Sequence, residues 1–79
     1  MSIQDRERTE LDASSLECPL PLLKTKLALK SLDPGCYLQV KTTDSASLVD
    51  IPKFIAHSCH NLVSVEQLDD YALITIEKG

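Results

Sequence analysis

Within three residues, Asp33-Pro34-Gly35, the periodicity of this chain changes from that of a helix to that of a strand. Upstream, Leu20, Leu23 and Leu27 recur at i, i+3, i+7, Leu22 and Leu29 form a second stripe, and Lys26 and Lys30 line a polar strip at i, i+4. Downstream, "CYLQVKT" (36–42) alternates, with Cys36, Leu38, Val40 and Thr42 on one face and Tyr37, Gln39 and Lys41 on the other. Pro34 cannot continue a helix, and Gly35 turns the chain. A helix that feeds directly into a half-buried strand restricts the chain to α/β arrangements. The broad apolar surface over Pro19–Leu32 predicts a helix packed hard onto a sheet.

The remaining segments fill in that arrangement. "TELDAS" (9–14) reads as a short first strand, and residues 1–8 as a polar, mobile arm. Asp44 is placed as an N-cap in "TDSAS". Leu48, Ile51 and Ile55 make an apolar stripe interrupted by Pro52, which disfavours helical geometry at Ile51. The expectation is therefore a short turn after Asp44 and a main helix from near Asp50 to near His57. "NLVSVEQL" (61–68) and "YALITIEK" (71–78) are two strands joined by a tight Asp69-Asp70 hairpin. The order is βαβαββ. A right-handed crossover makes the first two strands parallel, and alternating strands call for helices on one face only. The predicted fold is an α/β two-layer sandwich, a four-stranded mixed sheet covered on one face by two helices.

Seventy-nine residues make one domain, placed at 9–79. A chain this short buries only about 60–65% of its unfolded surface, so its core is thin. Its 43% apolar and 25% charged residues are ordinary globular values. A net charge of −4 argues against direct nucleic-acid binding, which needs a broad basic footprint. "MSIQDRER" has no apolar run of the signal-peptide kind, and no later run approaches the ~18 apolar residues of a membrane span. The expected location is the cytoplasm, with no membrane partner. Three cysteines, an odd number without the density of a disulfide scaffold, fit reduced thiols there.

"ECPLP" (17–21) is where chemistry enters. With Cys18 as N-cap, Pro19 falls at the first helical position and Pro21 at the third, where no intrahelical hydrogen bond is lost and the fixed φ suits the helix. The Leu20 N–H is left facing the cap. Cys18 would thus stand at a stiffened, positive helix end. The helix dipole favours a thiolate by ~0.3–1 kcal/mol when exposed and up to ~2 kcal/mol in good geometry. Glu17 opposes it, which puts the expected thiol pKa at roughly 7 to 8. Such a thiol suits sulfur exchange near neutral pH. The structural alternative is a helix that merely opens with proline beside a small buried cysteine; spacing leaves the two balanced.

Other clusters yield to plainer readings. "HSCH" (57–60) gathers His57, Cys59 and His60, but structural zinc wants four ligands and no second pair lies nearby. Histidines at a helix C-terminus interact favourably with its dipole. Cys36 opens a strand on its apolar face and reads as core. A Cys18–Cys59 disulfide would make the chain a thiol redox module. Lys24, Lys26 and Lys30 on the first helix, with Lys53 on the second, are either a solvated face or a basic rim for docking an acidic partner.

"LDASSLECPLPLLKTKLALKSLDPG" and "VKTTDSASLVDIPKFIAHSCHNLV" resemble the TusA/SirA-like sulfur carriers, a family marked by a Cys-Pro-x-Pro motif, and the likeness runs from about position 10 to the end. The family usually has glycine where this chain has Ser15, and again at Cys59; a left-handed residue at Cys59 would carry about 1 kcal/mol of strain. The resemblance implies the same fold and a persulfide-carrying cysteine, a role that falls on Cys18, with Pro19 and Pro21 as motif support. It also implies a donor protein (a cysteine desulfurase or rhodanese-like protein), an acceptor protein, no cofactor or metal, and destinations such as tRNA 2-thiouridine formation. The competing function is a non-catalytic protein-binding adaptor of the same fold.

Overall fold

The structure, a computed structural model, describes residues 8–17 and 19–79. The elements follow in the order β1 (Arg8–Ala13), α1 (Leu20–Lys30), β2 (Tyr37–Thr42), α2 (Ser47–Ala56), β3 (Asn61–Gln67) and β4 (Ala72–Glu77). The arm expected over residues 1–8 falls outside the described residues except for Arg8, which opens β1. One sheet holds the four strands in the order β1-β2-β4-β3. β1 pairs parallel with β2 from Arg8↔Tyr37 to Ala13↔Thr42, and β4 runs antiparallel to both of its neighbours. This is the predicted two-layer mixed sheet.

Period-two patterning decides which face is covered. In β2, Leu38, Val40 and Thr42 are buried while Tyr37, Gln39 and Lys41 are half-buried; β4 buries Ala72, Ile74 and Ile76 in the same way. Cross-strand partners point to one side, so Val40↔Ile74 and Leu38↔Ile76 form the floor on which the helices lie. Leu29 from α1, Ile51 and Ile55 from α2 and Ala13 from β1 complete the core. Cys36 is half-buried just before β2, rather than a core residue. β3 departs from its expected half-buried state: it is exposed along its whole length. It forms the sheet edge beyond β4, and the register shift between Leu62 and Ser64 disturbs its alternation.

α1 turns a different face inward from the one its leucines suggest. Pro21, Thr25 and Leu29 are buried, with Leu22, Ala28 and Leu32 packed beside them. A threonine can occupy the centre because its Oγ1 donates to the Pro21 carbonyl at 2.7 Å. The helix stops at Ser31, whose hydroxyl donates to the Ala28 carbonyl. Lys78, from just beyond β4, reaches across to donate from Nζ to the Leu29 carbonyl at 2.8 Å, a cation at the negative helix end. Gly35, at φ +92°, then reverses the chain into β2.

α2 starts earlier than the sequence reading placed it. The chain turns after Asp44, whose Oδ2 accepts from both the N–H and the hydroxyl of Ser47. The helix then runs unbroken through Pro52. Pro52 lacks only the N–H that would meet the Leu48 carbonyl one turn earlier, and burial of Ser47, Ile51 and Ile55 on one face offsets that loss. At the far end the cap is His57, at φ −102°, two residues before Cys59. The left-handed strain expected at a Cys59 cap is therefore not needed to end the helix. Ser58 closes it instead, donating to the Ile55 carbonyl and accepting from the His60 N–H.

His60 is held between layers, its ring 6.4 Å from Phe54 and its Nδ1 accepting from the Gly79 N–H at 3.0 Å. Burial, with nearby Lys78, holds its pKa below the ordinary 6.5. The neutral form is favoured by folding, so this stabilisation is complete above pH 6.5 and is lost as pH falls through that value toward the lower folded one. His60→Gln should lose less thermal stability than the parent chain between about pH 7.5 and about pH 5. Equal losses in parallel melts would show that His60 makes no such contribution.

Candidate functional site

The carboxyl ends of β1 and β2 and the starts of both helices meet at one end of the domain, the position where open α/β sheets place their sites. Two loops are tied together there. Thr43 donates from Oγ1 to the Ser14 carbonyl, joining the β2–α2 loop to the β1–α1 loop. The Ser14 N–H closes back on Asp12 Oδ1 at 3.0 Å, and hydrogen bonding by Ser14 holds the Asp12 carboxyl below its ordinary pKa, with Lys41 adding a smaller effect. The β3–β4 hairpin reaches the same end, closed by the Leu68 N–H on the Tyr71 carbonyl around Asp69-Asp70, as the sequence predicts. Between hairpin and β2 lies an open cavity of about 260 Å³, lined by Leu48 and Leu68 together with Thr42, Thr43 and Ser45.

Cys18, the predicted nucleophile, lies outside the described residues. Its neighbours Glu17 and Pro19 are described. The Leu20 N–H donates to the Glu17 carbonyl at 2.9 Å, and the Leu23 N–H donates to the Pro19 carbonyl at 3.0 Å. Pro19 therefore takes the cap position (φ −97°, ψ 12°) and Leu20 the first helical one, one residue later than the sequence reading has it. Pro21 occupies the second position and is buried. One consequence is a correction: the Leu20 N–H, expected to face the cap, is taken by Glu17. What the turn offers an anion is the dipole of an 11-residue helix with no acidic residue in its first turn.

The lysines are strung along the helical layer rather than gathered at this end. Lys24 and Lys30 are exposed on α1 and Lys53 on α2. Lys26 leans over the Phe54 ring at 5.1 Å, a cation–π contact between the helices. The "HSCH" residues are at the opposite end. Because β1, β2 and β3 are mutually parallel, α1 and α2 run in the same sense, and Cys59 follows the C-terminus of α2. Glu17 and Pro19, the described neighbours of position 18, flank the start of α1, about 15 Å away along the helices. The Cys18–Cys59 disulfide of the redox reading itself lies outside the described residues.

A family model described as "Sulfurtransferase TusA" matches residues 9–78. The chain belongs to the TusA family. Among curated TusA-like relatives, a "Putative sulfur carrier protein" of Archaeoglobus fulgidus is 34% identical over 68 residues, 86% of this chain and 93% of that one. The "Sulfur carrier protein TusA" of Pseudomonas fluorescens is 37% identical over 69 residues, 87% of this chain and 83% of its own. A crystal structure of a SirA-like protein from Desulfitobacterium hafniense superposes with a TM-score of 0.78, covering 90% of this chain and 97% of that one at 24% identity, which bears on the fold alone. TusA membership makes the chain a sulfur carrier, working between a protein that gives sulfur and one that takes it. Sequence reasoning missed the Thr43–Ser14 tie, the Lys78 cap on α1 and the outward direction of three leucines. Only the last left a signal, since the two leucine stripes, Leu20/Leu23/Leu27 and Leu22/Leu29, cannot both face one sheet.

Proposed function

We propose that this TusA-family chain carries sulfane sulfur as a persulfide on Cys18, taking it from a cysteine desulfurase or rhodanese-like donor and passing it to a thiol on an acceptor protein. The observation that supports this most is the sequence Cys18-Pro19-x-Pro21, which runs into the first turn of α1 at Leu20 and Pro21, in a chain of a sulfur-carrier family. In the loading step the Cys18 thiolate attacks the outer sulfur of the donor's persulfide. A new S–S bond forms as the donor's own S–S bond breaks, the donor cysteine leaves as thiolate, and no net oxidation occurs. Unloading repeats the exchange, with the acceptor thiolate as attacker and Cys18 as leaving group.

Only thiolates and persulfides take part, so this exchange step needs neither metal nor organic cofactor. Pro19 and Pro21 stiffen the turn that presents the sulfur, since two of its φ angles are set before folding. The lysines Lys24, Lys26, Lys30 and Lys53 give the helical layer a basic character that suits docking to an acidic protein surface. The setting we infer is the cytoplasm, where thiols stay reduced; among the described residues no helix is long and apolar enough to cross a membrane. Formation of tRNA 2-thiouridine is the destination the family likeness favours. The test is loading: with a desulfurase and L-cysteine, the intact chain should gain the mass of one sulfur atom, removable by reductant. If Cys18→Ser gains as much, the assignment fails.

A further inference from the structure

The two edges of the sheet are built differently. β1 closes one side with Arg8, Glu10 and Asp12 among its six residues, charges of the kind that keep an exposed strand from pairing with another chain. β3 closes the other with a single charge, Glu66, in seven residues, and with neither lysine nor proline. It is exposed from end to end, and Leu62, Val63 and Val65, with Leu68 just beyond, are 41 to 52% exposed. Among the described residues β3 pairs only with β4, so the backbone N–H and C=O groups along its other side face outward. Scattered apolar residues on a surface are ordinary, but a run of them on an unpaired strand edge is a template for a further strand. The register shift lies before Ser64, which leaves Ser64 to Gln67 regular. There Val65 stands beside Ile74 on the helical side of the sheet, and Ser64 and Glu66 stand on the open side.

We infer that β3 pairs with β3 of a second copy, antiparallel about a two-fold axis through Val65, to make one continuous sheet with both helical layers on the same face. Residues opposite one another in such a ladder share a face, so the axis passes through a residue of the strand. At Glu66 it would set two carboxylates against each other, and at Ser64 or Gln67 it would set Glu66 against a leucine, Leu62 or Leu68. At Val65 it sets valine against valine on the helical side. On the open side it sets Ser64 against Glu66 of the other copy, hydroxyl to carboxylate, twice. The same register brings Leu62 beside Leu68 and the Asp69-Asp70 hairpin alongside Asn61 and His60 of the other copy, so no like charges meet. The contact is isologous; it uses up the weakly charged edge of each copy, and the charged β1 edges end the growth at two. One strand's length of contact falls short of the ~800 Å² per partner of a stable complex, so the dimer is a weak, reversible one. The starts of the two α1 helices lie at opposite ends of the joined sheet, which leaves both open to other proteins. The pairing does not depend on the persulfide role of Cys18.

Light scattering on the reduced full chain, from about 10 µM to about 1 mM, should show the mass rising from 8.7 kDa toward twice that value and no further. Val65→Lys, which sets two ammonium groups across the axis, should weaken the dimer roughly tenfold or more while its circular dichroism stays that of the parent. Leu27→Ser, on the exposed side of α1, is the control and should dimerise as the parent does. A second measurement reads the register. Val65→Cys and Ser64→Cys chains are treated with oxidised glutathione, so that two thiols become one disulfide as one oxidised glutathione becomes two reduced ones, and are then mapped by peptide mass. Position 65, opposite its own copy at a Cα separation of about 4.5–5.5 Å, should be recovered linked to itself; position 64, opposite Glu66, should not. A parent chain that keeps the mass of one copy throughout overturns the inference, as does growth past two. So does a Val65→Lys chain that dimerises as strongly as the parent, or self-linkage at position 64 equal to that at position 65. A monomeric parent whose β3 amides gain protection from hydrogen exchange only when a purified cysteine desulfurase is added would assign the edge to that protein, and also overturns it.

Discussion

Cys18→Ser should reduce sulfur transfer through this protein to the background of the assay mixture. The expectation follows from bond-making. A serine hydroxyl stays protonated near neutral pH and forms no stable bond to sulfane sulfur, so neither half of the exchange can occur. Losing the helix dipole alone would slow loading only severalfold, the effect of ~0.3–1 kcal/mol on a thiolate. The two explanations therefore separate by magnitude. The measurement is multiple-turnover delivery of labelled sulfur from a desulfurase to a thiol acceptor, with circular dichroism confirming that the variant is folded. A residual rate within tenfold of the parent would mean that the sulfur travels by another route.

Ile74→Ala should be the most damaging of simple core changes. Ile74 is fully buried in the central strand β4, paired with Val40 on one side and Val65 on the other, in the same core cluster as Leu29, Ile51 and Ile55. Truncating such a side chain costs about 2–5 kcal/mol, from lost burial and the cavity left behind. A 79-residue domain has roughly 4–12 kcal/mol in total. The variant is expected to lose a large part of its stability and to unfold in part at physiological temperature. Val63→Ala is the contrast: Val63 is 52% exposed on the edge strand, and its loss should cost less than about 1 kcal/mol. Urea melts of the two decide whether the core lies where the buried strands put it. Similar midpoints would contradict that placement.

What could be read from the chain in advance was what depends on local pattern. The alternation of Leu38, Val40 and Thr42, the turn at Gly35 and the Asp69-Asp70 hairpin each have a mechanism confined to a few residues, and each is found in place, although the helix before Gly35 ends at Lys30, short of the Pro34 expected to stop it. Features that depend on what lies across the molecule were not legible. Leucine periodicity on α1 cannot say which stripe faces the sheet, and the inward position at Thr25 is admissible only because its hydroxyl finds the Pro21 carbonyl. Pro52 moves the expected start of the main helix to near Asp50 because its local effect is disruptive; burial of Ile51 and Ile55 overrides it, and α2 begins at Ser47. β3 reads as half-buried from its alternation, yet its place at the edge leaves it exposed. At the site, the motif named Cys18 and its prolines, but the hydrogen bond from Leu20 to Glu17 depends on where the helix begins.

The claim on which the rest stands is that sulfur resides on one particular cysteine of three. Brief loading by a desulfurase, alkylation to trap persulfides, and peptide mapping would locate it. An alkylated persulfide is expected on the peptide holding Cys18, with Cys36 and Cys59 recovered as simple alkylated thiols. Sulfur found on Cys59, which is exposed at the other end of the fold, or spread evenly over all three, would contradict it.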